Sequence, residues 1–233
     1  HNSIYYFSLL RKPSSPDFNH RCNYCFYLDH TALYPETRIH RMSDDVLEQM
    51  VKSYMQTNQP AYSFGWQGGE PTLMGLDFFK KVVELQKKYG RPGAMVSNGL
   101  QTNATLIDDD FAAHLAEYNY LLGVSIDGPA ELHDTYRKNA AGGGSHKAVL
   151  RGIDALNRHN VQYNALVLVS AANVSQPELV YDYLKDLGIY YHQYIPCVEF
   201  DDQGRPLPYT ITGEQWGSFL IGIFEKWLAT DTR

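Results

Sequence analysis

Cys22-Asn23-Tyr24-Cys25 sets two thiols three residues apart, followed at once by Phe26 and Tyr27. Thiolates are soft anionic donors, so a C-x-x-C pair serves as a redox dithiol, half of a zinc site or part of an iron–sulfur site. A redox dithiol belongs at a helix N-terminus after a strand, whereas the next helix signal here, Ser43, lies well downstream. Zinc requires a second ligand pair at suitable spacing, and the sequence offers none. An iron–sulfur cluster with one open iron needs three closely spaced thiolates. Only two lie in this loop, and position 18, four residues before Cys22, is Phe, which has no donor atom. The plain alternative is a pair of packed thiols. Cys197 reads as a small buried residue, its other reading being a replacement ligand. His20 is out of register for position 18 and reads as solvated surface.

Other polar runs follow strand-like segments. Gln67-Gly68-Gly69-Glu70-Pro71 allows a close backbone approach to a ligand, because glycine has no Cβ, although a tight turn is the alternative. Gln101 and Asn103 lie in an Asn-rich stretch after the third strand and are candidates for polar contacts or for a turn that bonds its own backbone. Ser125-Ile126-Asp127-Gly128-Pro129 ends the fourth strand, with His133-Asp134-Thr135-Tyr136-Arg137 beyond it. Arg137 suits pairing with a carboxylate, or a surface ion pair.

The elements that position these residues alternate. Strands are expected near 5–11, 61–66, 94–97, 120–126, 161–169 and 189–196. Ser43 precedes the apolar stripe Val46, Leu47, Met50, Val51 and Tyr54, and Ser145 precedes Val149, Ile153 and Leu156. Ser175-Gln176-Pro177-Glu178 reads as a capping box, Gly188 as a helix stop, and Thr212-Gly213-Glu214-Gln215 as the start of a last helix. Further helices fit 76–89 and 108–118. Repeated βα units imply parallel strands and right-handed crossovers, hence an α/β fold whose post-strand loops converge on one face.

With 233 residues, 44% hydrophobic and 20% charged, the chain suits one domain, 1–233, in the size range of six-fold α/β barrels. A formal charge of −6 argues against a nucleic-acid or anionic-membrane surface. The apolar run 219–224 is too short to span a bilayer. Three cysteines make no disulfide framework, which points to a reducing, cytoplasmic setting. His1-Asn2-Ser3 shows neither an initiator Met nor a signal-peptide pattern, so the chain reads as a fragment.

Taken together, Cys22-x-x-Cys25-Phe26-Tyr27, Gln67-Gly68-Gly69-Glu70-Pro71-Thr72-Leu73, Gln101-Thr102-Asn103-Ala104-Thr105-Leu106 and Ser125-Ile126-Asp127-Gly128 resemble the radical S-adenosylmethionine (SAM) enzymes. Within that group the chain resembles the anaerobic sulfatase-maturating enzymes from about residue 7 to 224. The resemblance implies a partial (β/α)6 TIM-like barrel, a [4Fe–4S] cluster and SAM. It implies oxidation of a Cys or Ser of a sulfatase polypeptide to formylglycine, with an electron donor such as flavodoxin or ferredoxin. It makes Cys22 and Cys25 cluster ligands, with Phe18 where the family has the first cysteine.

By the same resemblance Tyr27 and Ile195 flank the SAM adenine, and Gly68, Gly69, Glu70 and Pro71 receive its amino group. Gln101, Asn103, Ser125, Asp127 and Arg137 make polar contacts to SAM, while Tyr24 and Gln67 meet the peptide. Ala104 stands at a position that is usually glycine. The family's C-terminal SPASM region, with auxiliary clusters and the proposed base, is missing. Two alternatives remain: a cluster-less scaffold binding SAM or peptide, and another SPASM-type peptide modifier.

Overall fold

Six strands are laid down in chain order and keep that order in the sheet, β1 to β6, so each βα unit adds its strand beside the one before. The computed structural model describes residues 7–25 and 39–232. The strands are β1 Leu9–Arg11, β2 Ala61–Trp66, β3 Met95–Thr102, β4 Leu121–Ser125, β5 Gln162–Val169 and β6 His192–Pro196. The helices are α1 Asp44–Met55, α2 Leu76–Tyr89, α3 Asp109–Glu117, α4 Ala130–Tyr136, α5 His146–Arg158, α6 Pro177–Asp186 and α7 Gly213–Asp231, with a 3-10 turn at Pro71–Met74. The expected α/β class, with a parallel six-stranded sheet, is the one observed.

The chain divides into two compact units. The first holds residues 7–19, 39–123 and 151–163. In it β2 pairs in parallel with β1 and β3, Leu9 opposite Phe64 and Trp66 opposite Leu100. Alternation along β2 buries Tyr62, Phe64 and Trp66 and leaves Ser63 exposed, as period-two geometry requires. Tyr54 of α1 and Phe79 of α2 pack edge-on against these rings. The buried Trp66 indole N–H donates to Asn98, whose carboxamide exchanges two hydrogen bonds with Gln86. β3 runs to Thr102, well past the expected 97, because pairing with β2 continues through Asn98 and Gly99 despite their turn-like sequence.

The second unit holds residues 20–25, 124–150 and 164–232. Here β5 pairs in parallel with β6, Leu168 opposite Ile195. Helices α6 and α7 pack closely, with Pro177 filling the space beside Gly222 and Lys226 bonded to Asp182 at 2.7 Å.

Helix starts divide into those legible locally and those set by tertiary contacts. Ser43 caps α1 through Val46 N–H, and Thr212 with Gln215 forms a capping box at α7. The expected box at Ser175 is absent. Gln176 is the N-cap of α6 and makes no side-chain cap bond, while Pro177 alone marks the start. Nor does Ser145 cap α5 with its hydroxyl, which donates instead to the Arg137 carbonyl. The Asp134 carboxylate takes over, accepting Ser145 N–H at 2.8 Å and His146 N–H at 2.9 Å. Gly188, at φ +77°, ends α6 as expected. Among the described residues no helix is long and apolar enough to cross a membrane.

Candidate functional site

The first unit presents the Gly-Gly-Glu-Pro segment directly after β2. Its backbone is fastened to the 14–17 loop: Gly69 N–H donates to Ser15 O and Glu70 N–H to Asp17 O, each at 2.8 Å, while the Ser14 hydroxyl donates to Glu70 O. Gly68 sits at φ +112°, and a Cβ on Gly69 would lie 2.0 Å from Asp17 O. Both positions therefore require glycine. Pro71 is buried and opens the 3-10 turn.

The Glu70 side chain points into its own unit. Oε1 accepts from Thr72 N–H, from the Thr72 hydroxyl at 2.6 Å and from the Thr102 hydroxyl at 2.7 Å, while Oε2 accepts Asn103 N–H at 2.8 Å. Burial raises its pKa against these donors. The carboxylate thus ties the turn after β2 to the end of β3. Glu70→Gln would set an amide NH2 against Asn103 N–H, and a loss of about 2 kcal/mol is expected in urea unfolding.

Gln101 and Asn103 are drawn into the same framework. Gln67 donates through its amide to Gln101. Asn103 Oδ1 accepts from Thr105 N–H and the Thr105 hydroxyl, and its Nδ2 donates to Asn19 at 2.8 Å. Both ends of that carboxamide have protein partners. Ala104 is fully buried at φ +60°, in the left-handed region that favours glycine. Its carbonyl packs against Gly152, where a Cβ would stand 2.0 Å away.

The second unit carries the thiols. Cys25 N–H donates to Cys22 O at 3.0 Å, a turn that brings the pair together. Cys22 is buried and Cys25 half-buried, in one cluster with Tyr24, Tyr136, Leu168, Cys197 and Tyr209. Burial pushes the Cys22 thiol up to about 11 and the Cys197 thiol to about 12. Cys197 is only 3% exposed, as expected of a small buried residue. Phe26 and Tyr27 lie outside the described residues.

Above this cluster lies an ion pair that sequence reading did not foresee. Arg137 Nε donates to Asp127 Oδ2 at 2.7 Å and Nη2 to Oδ1 at 3.2 Å, with both side chains almost wholly buried. Tyr24 donates its hydroxyl to Oδ2 at 2.6 Å and Leu168 its N–H to Oδ1 at 2.9 Å, which fills the four acceptor positions of Asp127. Burial alone would raise the Asp127 carboxyl, but the Arg137 charge and these bonds hold it below the usual range.

Two of the expected site residues have partners within the protein. The Arg137 fork faces Asp127. Tyr24 is 7% exposed, with the guanidinium over its ring.

Residues that sequence reading passed over hold this centre. His133 accepts Asp127 N–H at Nδ1 and faces the Ser145 hydroxyl at Nε2; burial lowers its pKa to about 3, so the ring is neutral. Asn173 donates to both Asp127 O and Leu168 O. The only local hint of Asn173 was its place in a polar turn just after β5. Ser125 ends β4 and Ile195 lies in β6, both half-buried. Gln67 is half-buried after β2.

Residues 19–184 match the model of the Radical SAM superfamily. The chain belongs to that superfamily, an oxidoreductase-type enzyme family whose cofactors are a [4Fe–4S] cluster and SAM. It is 39% identical over 236 residues to a serine-type anaerobic sulfatase-maturating enzyme of Bacteroides thetaiotaomicron, covering 94% of this chain and 57% of the relative. It is also 36% identical to a cysteine-type enzyme of Clostridium perfringens, covering 94% and 60%. The solved structure of native anSMEcpe with bound AdoMet and Cp18Cys peptide matches with a TM-score of 0.86 at 35% identity, covering 95% of this chain and 60% of that one. The chain thus spans somewhat more than half the length of the relatives it matches, and its fold is that of the radical SAM core.

The donor set bears on the cluster directly. Among the described residues no three His, Cys, Asp or Glu side chains gather closely enough for a single metal ion. A cluster differs, since its ligands bind separate irons around a larger body. Cys22 and Cys25 lie on one short turn, and His20 Nδ1, buried nearby in sequence, has no hydrogen-bond partner. These residues suit two thiolate ligands and leave one donor to be found.

Proposed function

We propose that this chain is the SAM-dependent part of an enzyme that oxidises a Cys or Ser side chain of a sulfatase polypeptide to formylglycine. The observation that carries this reading is similarity over 94% of the chain to both serine-type and cysteine-type maturating enzymes. The glycine-dependent backbone at Gly68 and Gly69 supports it, because a side chain at either position would collide with the loop that holds the segment.

Cys22 and Cys25 would hold the cluster, which when bound supplies the electron for reductive cleavage of SAM, fed by a donor of the flavodoxin or ferredoxin kind. In the first unit, Gly68 to Pro71 would take the SAM amino group on backbone that Glu70 anchors, with Gln101 and Asn103 beside the same turn. In the second, Ser125 would offer a hydroxyl and Ile195 an apolar wall for the adenine, with Tyr27 as its aromatic partner. Asp127 and Arg137 act here as positioning residues, since each holds the other and Tyr24. Gln67 would meet the peptide. In the net chemistry the serine side chain gives up two electrons to SAM, which leaves as methionine and 5′-deoxyadenosine, the latter carrying one substrate hydrogen, while one proton is released. For cysteine the thioaldehyde so formed exchanges sulfur for oxygen with water and releases hydrogen sulfide.

The test is to incubate the anaerobically reconstituted protein with SAM, dithionite and sulfatase peptides bearing Cys or Ser. Expected are 5′-deoxyadenosine and the aldehyde peptide by mass spectrometry. An intact, reducible cluster that yields neither product would overturn the reading.

A further inference from the structure

Position 18 lacks a donor atom, yet the cysteine turn is retained and packed. The segment before it is extended. His20 bridges Asn139 in antiparallel fashion, Arg21 N–H donates to Lys138 O at 2.8 Å, and Asn23 N–H donates to Tyr136 O at 2.9 Å. In an extended segment successive side chains point to opposite sides. The burial follows that rule up to the turn: His20 and Cys22 are buried, while Arg21 between them is exposed. His20 and Cys22 therefore share the inward side, and the turn at Cys22 brings Cys25 back toward it. His20 is only 6% exposed, which corrects its reading as solvated surface, and its Nδ1 is buried without a hydrogen-bond partner. A buried nitrogen left unpaired is costly, by about 1–3 kcal/mol, and a metal is a partner that removes that cost.

We propose that His20 Nδ1 is the third protein ligand of an iron–sulfur cluster held by Cys22 and Cys25, replacing the thiolate that Phe18 cannot supply. Imidazole is an established iron ligand, and in Rieske centres it stands in for thiolate. The ligand set becomes H-x-C-x-x-C, all within the 20–25 segment of one unit. A neutral imidazole in place of a thiolate leaves the cluster less negative and raises its reduction potential. The inference rests on the reading of Cys22 and Cys25 as cluster ligands.

Four forms of the full chain test it: native, His20→Ala, Phe18→Cys, and Phe18→Cys with His20→Ala. Each is reconstituted with ferrous iron and sulfide without air, then scored for iron per chain, visible charge-transfer absorbance and 14N coupling in pulsed EPR of the reduced cluster. The native chain is expected to hold about four irons with a strong 14N coupling. His20→Ala is expected to lose at least about tenfold in iron retention. The double variant should regain the cluster without that coupling, which also shows that His20→Ala still folds. A native cluster lacking 14N coupling, or unaffected by His20→Ala, overturns the proposal. So does a native chain without iron when Phe18→Cys holds it, although the radical SAM reading then stands. If all four forms stay iron-free, the cluster reading fails along with it.

Discussion

Arg137→Met is expected to destabilise the protein by about 3–5 kcal/mol, the largest effect of any single substitution argued for the second unit. The substitution leaves Asp127 buried with its charge and without the guanidinium that donates to both of its oxygens. Tyr24 loses the cation over its ring at the same time. The pH dependence carries the signature. In the native protein the Asp127 pKa is depressed, so its contribution is present above the unfolded pKa and lost as pH falls through the folded one. Without Arg137, burial dominates and raises that pKa, so the variant takes up a proton on folding and its deficit eases in acid. Urea unfolding near neutrality and again at about pH 5 should show the gap between native and variant narrowing. A constant gap would mean that lost packing, not charge, sets the effect. Combining Arg137→Met with Asp127→Asn should recover part of the loss, because the pair is then removed as a whole.

Gly69→Ala is the second large effect, and it acts through backbone alone. The added Cβ would lie 2.0 Å from Asp17 O and 2.8 Å from Asp17 N, so the 14–17 loop must leave its place. That loop accepts Gly69 N–H and Glu70 N–H, and the Asp17 carboxylate holds His40 and Arg41 through bonds of 2.6 to 2.8 Å. Overpacking costs about 1–3 kcal/mol when side chains can yield. With backbone against backbone, a loss of about 3 kcal/mol or more is expected, together with loss of SAM binding by equilibrium dialysis. Gly213→Ala is the control: nothing lies within 4 Å of a Cβ there, and a shift of less than about 1 kcal/mol is expected. Equal melting temperatures for native and Gly69→Ala would show that the two loops are not coupled as drawn.

The sequence by itself determined the alternation of strands and helices, the α/β class and the family, because these rest on short-range patterns. Apolar spacing marked α1 and α2, and α2 runs from Leu76 to Tyr89 as expected. The side-chain cap at Thr212, the glycine stop at Gly188 and the Pro at the start of α6 were legible for the same reason. Strand ends were less so, since β3 continues through Asn98 and Gly99 only because β2 lies beside them. Tertiary structure alone decided which polar groups face one another. Asp127 and Arg137 are ten residues apart and read separately as ligand contacts, yet α4 folds one back onto the other. Glu70 is turned inward by Thr102 and Asn103, more than thirty residues away. His20 is buried because residues 136–139 pair with it, and a polar residue's burial depends on partners that its neighbours in sequence do not reveal. A buried polar group must find a partner wherever the fold supplies one, and that long-range requirement, rather than local propensity, fixed the chemistry around Cys22 and Cys25.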